Sequence, residues 1–239
     1  MQRWAIAVLV VLCGCASDPP GLRGGQPSLA TAQAALSGGA PDLALRVCDG
    51  LLTSFGANAD VFVCQGDALT ALGRGAEAEG RFNQALRIER SSTGALTGLG
   101  RLSLQTRPAD AEALFLRVLE QRPRNAVALN NLGIARDLQG RHAAAQTAYG
   151  EAIAAAPDMR AAQINLALSM ALSGRSEEAI RLARPIATAP GATVQERHVL
   201  AAVLGMAGQP AEATRLLQPD LPMPQVDEAL EGYRALPSR

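Results

Sequence analysis

Alanine recurs at positions 44, 78, 111, 145, 179 and 213, a step of 34 residues shortened once to 33. Glycine keeps the same step at 39, 73, 140, 174 and 208, five residues before the alanine in every unit but the third. There Gln105-Thr106-Arg107-Pro108 takes its place and one residue is lost. A fixed period of this length marks an array, in which each unit is one supersecondary element and neighbours stack to bury its faces. Four residues past each alanine stand Cys48, Phe82, Phe115, Tyr149, Ala183 and Leu217. Three further on stand Leu51, Ala85, Val118, Ala152 and Ile186, with Asp220 closing the series. Offsets of 0, +4 and +7 trace one face of a helix. Each unit therefore reads as a helix, a turn and an antiparallel helix, the glycine ending the first. The recurring alanine, with Gly66, Gly133, Ala167 or Ala201 expected opposite, lets the two helices cross closely.

Composition agrees with a helical chain. Alanine fills 47 and leucine 33 of the 239 positions, all 22 basic residues are arginine, and aromatics make up only 3%. Ala, Leu and Arg are strong helix formers, and the sequence lacks the β-branched and aromatic runs of a sheet protein. With 22 basic against 22 acidic residues the formal charge is zero. That argues against nucleic acid as the main partner, since phosphate binding needs surplus basic side chains.

The clearest unit runs from Ala126 to Met159, with Asn131-Leu132-Gly133, Gly140-Arg141, Ala145, Tyr149, Ala152 and Pro157. This pattern resembles the tetratricopeptide repeat (TPR), although Arg136 stands where that family carries an aromatic. The resemblance covers six units, about 25–58, 59–91, 92–125, 126–159, 160–193 and 194–221, and implies an all-α fold, a right-handed α-solenoid. Its superhelix is expected over 28–221 and a C-terminal capping helix over 222–239. After the break at Pro222-Met223-Pro224, Val226, Ala229, Leu230, Tyr233 and Leu236 share one face from Gln225 to Leu236. That helix either caps the sixth unit or binds a partner.

Met1-Gln2-Arg3 gives a positive start, followed by nine apolar residues from Trp4 to Leu12. Nine residues rise only about 14 Å as a helix, too short for a membrane span but right for a secretory leader. Leu12-Cys13-Gly14-Cys15 resembles a bacterial lipobox, with Cys13 where Ala or Ser is usual. The resemblance implies a leader over 1–14, cleavage, and a diacylglycerol on Cys15; the alternative is an ordinary secretory signal. Acyl chains of this number hold a protein stably to a membrane. Ala16 after the cysteine, rather than Asp, implies sorting to the outer membrane, periplasmic face. Residues 15–27, rich in Pro and Gly, read as a lipidated tether.

Catalytic chemistry finds no foothold. His142 is expected in a solvated turn, and His198 on a first helix facing the concave groove; neither has ligands at metal spacing. Glu177-Glu178 suits the start of a second helix, where the dipole favours carboxylates. No enzyme activity, cofactor, metal or small-molecule substrate is expected. Cys48 and Cys64 face one another across adjacent units; they read first as two buried thiols acting as small apolar groups, with a disulfide as the alternative. What is left is a protein-binding surface. Superhelices of this kind present first-helix residues along a concave groove. The candidates here are Asp67, Arg101, Asn130, Ile134, Asp137, Leu168 and His198.

A narrower resemblance rests on the last third of the chain. Asn165 to Arg175, Leu200 to Gly208, Asp220-Leu221-Pro222 and the tail ending Tyr233-Arg234-Ala235-Leu236 are similar to the TadD repeat lipoproteins of the tight-adherence (Flp/Tad) pilus system. That resemblance implies a non-enzymatic pilotin whose protein partners are the secretin or other pilus-assembly components. A scaffold for type IV pili, envelope assembly or cell-wall enzymes is the competing reading.

Overall fold

The computed structural model describes residues 28–235; the leader, Cys15, the whole tether and residues 236–239, with Leu236 of the expected capping helix, lie outside the described residues. Among these, all secondary structure is helical, in thirteen α-helices. The first unit pairs α1 (Leu29–Ser37) with α2 (Pro41–Phe55), and the second α3 (Ala59–Ala71) with α4 (Gly75–Ile88). The third pairs α5 (Thr93–Ser103) with α6 (Pro108–Gln121), and the fourth α7 (Ala126–Asp137) with α8 (His142–Ala155). The fifth pairs α9 (Arg160–Leu172) with α10 (Ser176–Ala187), and the sixth α11 (Val194–Met206) with α12 (Pro210–Leu217). α13 (Met223–Ala235) follows and packs on α11 and α12.

Each helix packs on its neighbours in sequence, and first helices also align side by side: α1 with α3, α3 with α5, α7 with α9, and α9 with α11. This is the layered contact pattern of a solenoid. The exception is the pair α5 and α7, which barely touch. It falls where the third unit has lost its glycine turn.

The glycine column does the work expected of it. Gly39, Gly73, Gly140, Gly174 and Gly208 all adopt φ between 73° and 82°, the left-handed region that terminates a helix most easily in glycine. The alanine column is fully buried at all six positions, and so are Cys48, Phe82, Phe115, Tyr149, Ala183 and Leu217 four residues on. In the third row the pattern slips: Ile186 is only half-buried and Ala187 takes the core position. Pro185 sits within α10 just before the slip. Its ring cannot donate the amide hydrogen bond of a regular helix.

One packing expectation is sharpened and one corrected. The atoms nearest a β-carbon on Gly66 or Gly133 belong to the aromatic rings of Phe82 and Tyr149. Gly100 faces Phe115 in the same way. In units two to four a glycine thus makes room for a ring, whereas Ala167 and Ala201 take that position in units five and six, where Ala183 and Leu217 stand in place of the ring. The cysteines are also bonded, rather than two free thiols: Cys48 of α2 and Cys64 of α3 form a disulfide with a Cα–Cα distance of 5.8 Å. α2 and α3 pack directly, which brings the pair within bonding reach. Closing this 16-residue interval stabilises the fold by about 3 kcal/mol.

Arg136 compensates for the missing aromatic by polar means. Its Nε donates to Glu112 Oε1 at 3.0 Å and its Nη1 to the Ala144 carbonyl at 3.2 Å, joining units three and four.

Candidate partner-binding surface

The groove candidates occupy few phases of the repeat. Asp67, Arg101, Ile134 and Leu168 stand at one equivalent position of α3, α5, α7 and α9, each following Gly66, Gly100, Gly133 or Ala167. Because the preceding small residue faces the second helix of its own unit, this next position turns toward the flank where first helices align. Arg101 Nη2 donates to Asp67 Oδ1 at 3.1 Å, a bond between equivalent positions of adjacent units. Burial raises the Asp67 carboxyl above its usual range, against the pull of Arg101. Ile134 and Leu168 continue the row as half-buried apolar side chains. The row therefore changes from charged to apolar along the array.

Asn130 is buried and less available: its Oδ1 accepts from Asn165 Nδ2 of the next first helix at 3.0 Å. Beside it Asn131, also buried, keeps an unpaired Nδ2.

Asp137 is absorbed by the scaffold. Its carboxylate accepts from Tyr149 Oη at 2.9 Å and from Ser169 Oγ at 2.7 Å, and lies 2.8 Å from His142 Nδ1. Burial, together with Asp137 itself, pushes the Tyr149 phenol well above its usual range. This knot also corrects the placing of His142. It opens α8, half-buried against Asp137 at the end of α7, because the tight turn through Gly140 folds the helix start back on the preceding helix end. His198 lies on α11 with Nε2 3.4 Å from Asp220 Oδ2 and no hydrogen bond between them. Asp220 instead accepts both ends of the Arg197 guanidinium, at 2.7 and 3.2 Å, which hold its carboxyl below the usual range. Glu177 and Glu178 occupy the first turn of α10. Among the described residues no three metal-binding side chains come together.

One stretch of the surface escaped the sequence reading. A shallow cleft between α1 and α3 is lined by Leu29, Gln33, Leu36, Asp60, Val63 and Asp67. Gln33 and Val63 share the repeat phases of Asp67 and Asn130, so the period itself carried the signal. It went unused because α1 lacks the glycine and aromatic marks of the later units.

Tetratricopeptide-repeat families match the sequence over residues 114–147, 139–192 and 197–219. Solved TPR structures superpose across most of the described array. This is a tetratricopeptide-repeat protein. One such structure, a TPR protein from Parabacteroides merdae, is 16% identical with a TM-score of 0.67, covering 86% of this chain and 82% of that one. PilW, a type IV pilus biogenesis factor, is 21% identical with a TM-score of 0.69, covering 80% and 91%. PilF of Pseudomonas aeruginosa is 13% identical with a TM-score of 0.66, covering 87% and 95%. At these identities the likeness establishes the solenoid fold. No curated protein matches the sequence. The TPR array is a protein-interaction scaffold, and the aligned first helices supply its continuous surface.

Proposed function

We propose that this TPR protein is a lipid-anchored pilotin or scaffold on the periplasmic face of the outer membrane, helping to assemble a tight-adherence (Flp) pilus secretion apparatus. It acts by binding proteins, the secretin or another pilus-assembly component, along the first-helix surface. The observation that carries this reading is the six-unit array closed by α13, behind a lipobox-like Leu12-Cys13-Gly14-Cys15. The cap matters because the tail from Asp220 onward is also the segment similar to the TadD lipoproteins. In the structure that tail is integral to the fold: Asp220 is clamped by Arg197, and Val226 and Leu230 are buried in the terminal core.

A second reading, assembly of a type IV pilus, is favoured by the likeness to PilW, a type IV pilus biogenesis factor. Envelope or cell-wall enzyme scaffolding uses the same surface without a pilus. A deletion strain separates these readings. Loss of surface Flp pili and of secretin multimers, restored by the native gene, supports the first; loss of type IV pili alone supports the second. Normal piliation with intact multimers rejects both. Complementation with Cys15→Ser should leave a soluble or inner-membrane-retained protein, and continued outer-membrane fractionation would refute the anchor.

A further inference from the structure

In each helix pair the first helix begins, and the second ends, at the same edge of the array. Among the described residues, six of the eight large apolar side chains that stand exposed lie at this edge: Leu29, Phe55, Ile88, Val127, Val194 and Met223. Phe55, Ile88 and Val127 are 64%, 53% and 50% exposed, at the ends of α2 and α4 and the start of α7. Single exposed apolar residues are ordinary, but their concentration at one edge is not.

Arginines share the same edge. Arg87 and Arg90 flank Ile88, and Arg122 and Arg124 precede Val127; all four are exposed, and none forms an ion pair among the described residues. Arg117 Nη2 donates to the Arg90 carbonyl at 3.2 Å, tying the two junctions into one patch. Its exposed carboxylates are Asp60, Glu89 and Glu120, fewer than its five guanidiniums. The opposite edge is arranged differently. There Arg74, Arg107 and Arg141 each sit against a carboxylate, Glu77, Glu79 and Glu112 respectively. Only one edge therefore offers unpaired positive charge mixed with exposed apolar side chains.

The chain also enters the fold at this edge, since α1 starts at Leu29. Ser28 is thirteen residues beyond Cys15, so a chain anchored there can hold the edge no farther than roughly 45 Å from the bilayer. We propose that the patch around Phe55, Ile88 and Val127 docks on anionic phospholipid headgroups of the membrane to which Cys15 is attached. Guanidiniums bind the headgroup phosphates while the apolar side chains enter the headgroup–acyl boundary. Docking at this edge keeps the aligned first helices and their groove open to a partner. The inference rests on the lipid anchor proposed above.

The processed chain would carry no tryptophan, because Trp4 lies in the expected leader. Ile88→Trp and Leu138→Trp therefore place single probes on the docking edge and on the opposite edge, both at exposed positions. The lipidated protein is reconstituted in phosphatidylethanolamine–phosphatidylglycerol vesicles with brominated acyl chains, and tryptophan quenching is read. Quenching should be several-fold stronger at position 88 than at 138. The difference should vanish when Arg87, Arg90, Arg122 and Arg124 are changed to Gln, or when the vesicles are phosphatidylcholine alone. A protein that floats with the vesicles yet shows equal quenching at both positions overturns the docking. A protein that does not float overturns the anchor, and the docking with it.

Discussion

A β-carbon placed on Gly66 would lie 2.5 Å from Phe82 Cε1, and one on Gly133 would be driven equally hard into the ring of Tyr149. Both rings are fully buried and cannot swing aside. Two effects compete when such a helical glycine becomes alanine. The helix gains about 0.5–1 kcal/mol from the better former, while overpacking costs about 1–3 kcal/mol. At position 133 the ring is rigid, so overpacking wins and Gly133→Ala should lower the melting temperature. Gly150, on the outer face of α8, has nothing within 4 Å of its would-be β-carbon, so Gly150→Ala should raise it. Equal shifts of the same sign in both variants would show that the ring contact does not constrain the pair. The two columns of small and aromatic residues could be read from the period, but not their pairing. Pairing depends on how the two helices cross, and a one-dimensional period carries no crossing angle. His142 was misplaced for a related reason: its contact with Asp137 exists only because the turn between them is tight.

Among the elements, the terminal helix has the most specific attachment. Arg197 of α11 grips Asp220, the residue that leads into α13, with two guanidinium nitrogens, and this lowers the carboxyl below its ordinary 3.8. A carboxyl whose folded value lies below its unfolded one stabilises the fold above the unfolded value. That contribution is lost as pH falls through the folded value. The attachment of α13 should therefore weaken below about pH 4, where unfolded carboxyls begin to protonate. Asp67 has the opposite sign: burial raises it, so acid relieves a cost there. Asp220→Asn should lower the melting temperature at pH 7 and flatten its decline between about pH 4 and 2. An unaltered acid slope in the variant would assign that slope to other carboxyls, such as Glu212 beside Arg184. The existence of this helix was legible in its apolar spacing. Its clamp was not, because Arg197 and Asp220 stand 23 residues apart and meet only through the way α11 and the chain after α12 pack.

Across the whole molecule, stability is set by the links between units, because each unit contacts little beyond its neighbours. Those links are unequal. α5 and α7 barely touch, so the third and fourth units are held together mainly through α6 on α7. That junction has three components. Two are apolar, the cluster of Leu96, Val118 and Ala128, all fully buried, and the cluster that joins Ala111 and Phe115 of α6 to Leu132 and Ala135 of α7; the third is Glu112, which accepts from Arg136, Gln139 and Arg141. The shortened third unit was visible in the sequence as a step of 33 residues. Its consequence, a junction carried by α6 on α7 with little help from the first helices, was not, because it follows from where the helices sit and not from the missing residue. Val118→Ala removes two buried methyl groups from this junction, where Val118 packs with Leu96 of its own unit and Ala128 of the next, at a cost on the order of 2 kcal/mol. In an array of coupled units the part of that loss that falls between units weakens the coupling, so the two halves should lose cooperativity with each other. Urea unfolding, followed by amide exchange in α3 and in α9, should show coincident transitions in the native protein and separated ones in the variant. The separation should persist when the Cys48–Cys64 disulfide is intact, since that bond lies wholly within the N-terminal half. Coincident transitions in Val118→Ala would mean that the Leu96–Val118–Ala128 cluster does not set the coupling between the halves.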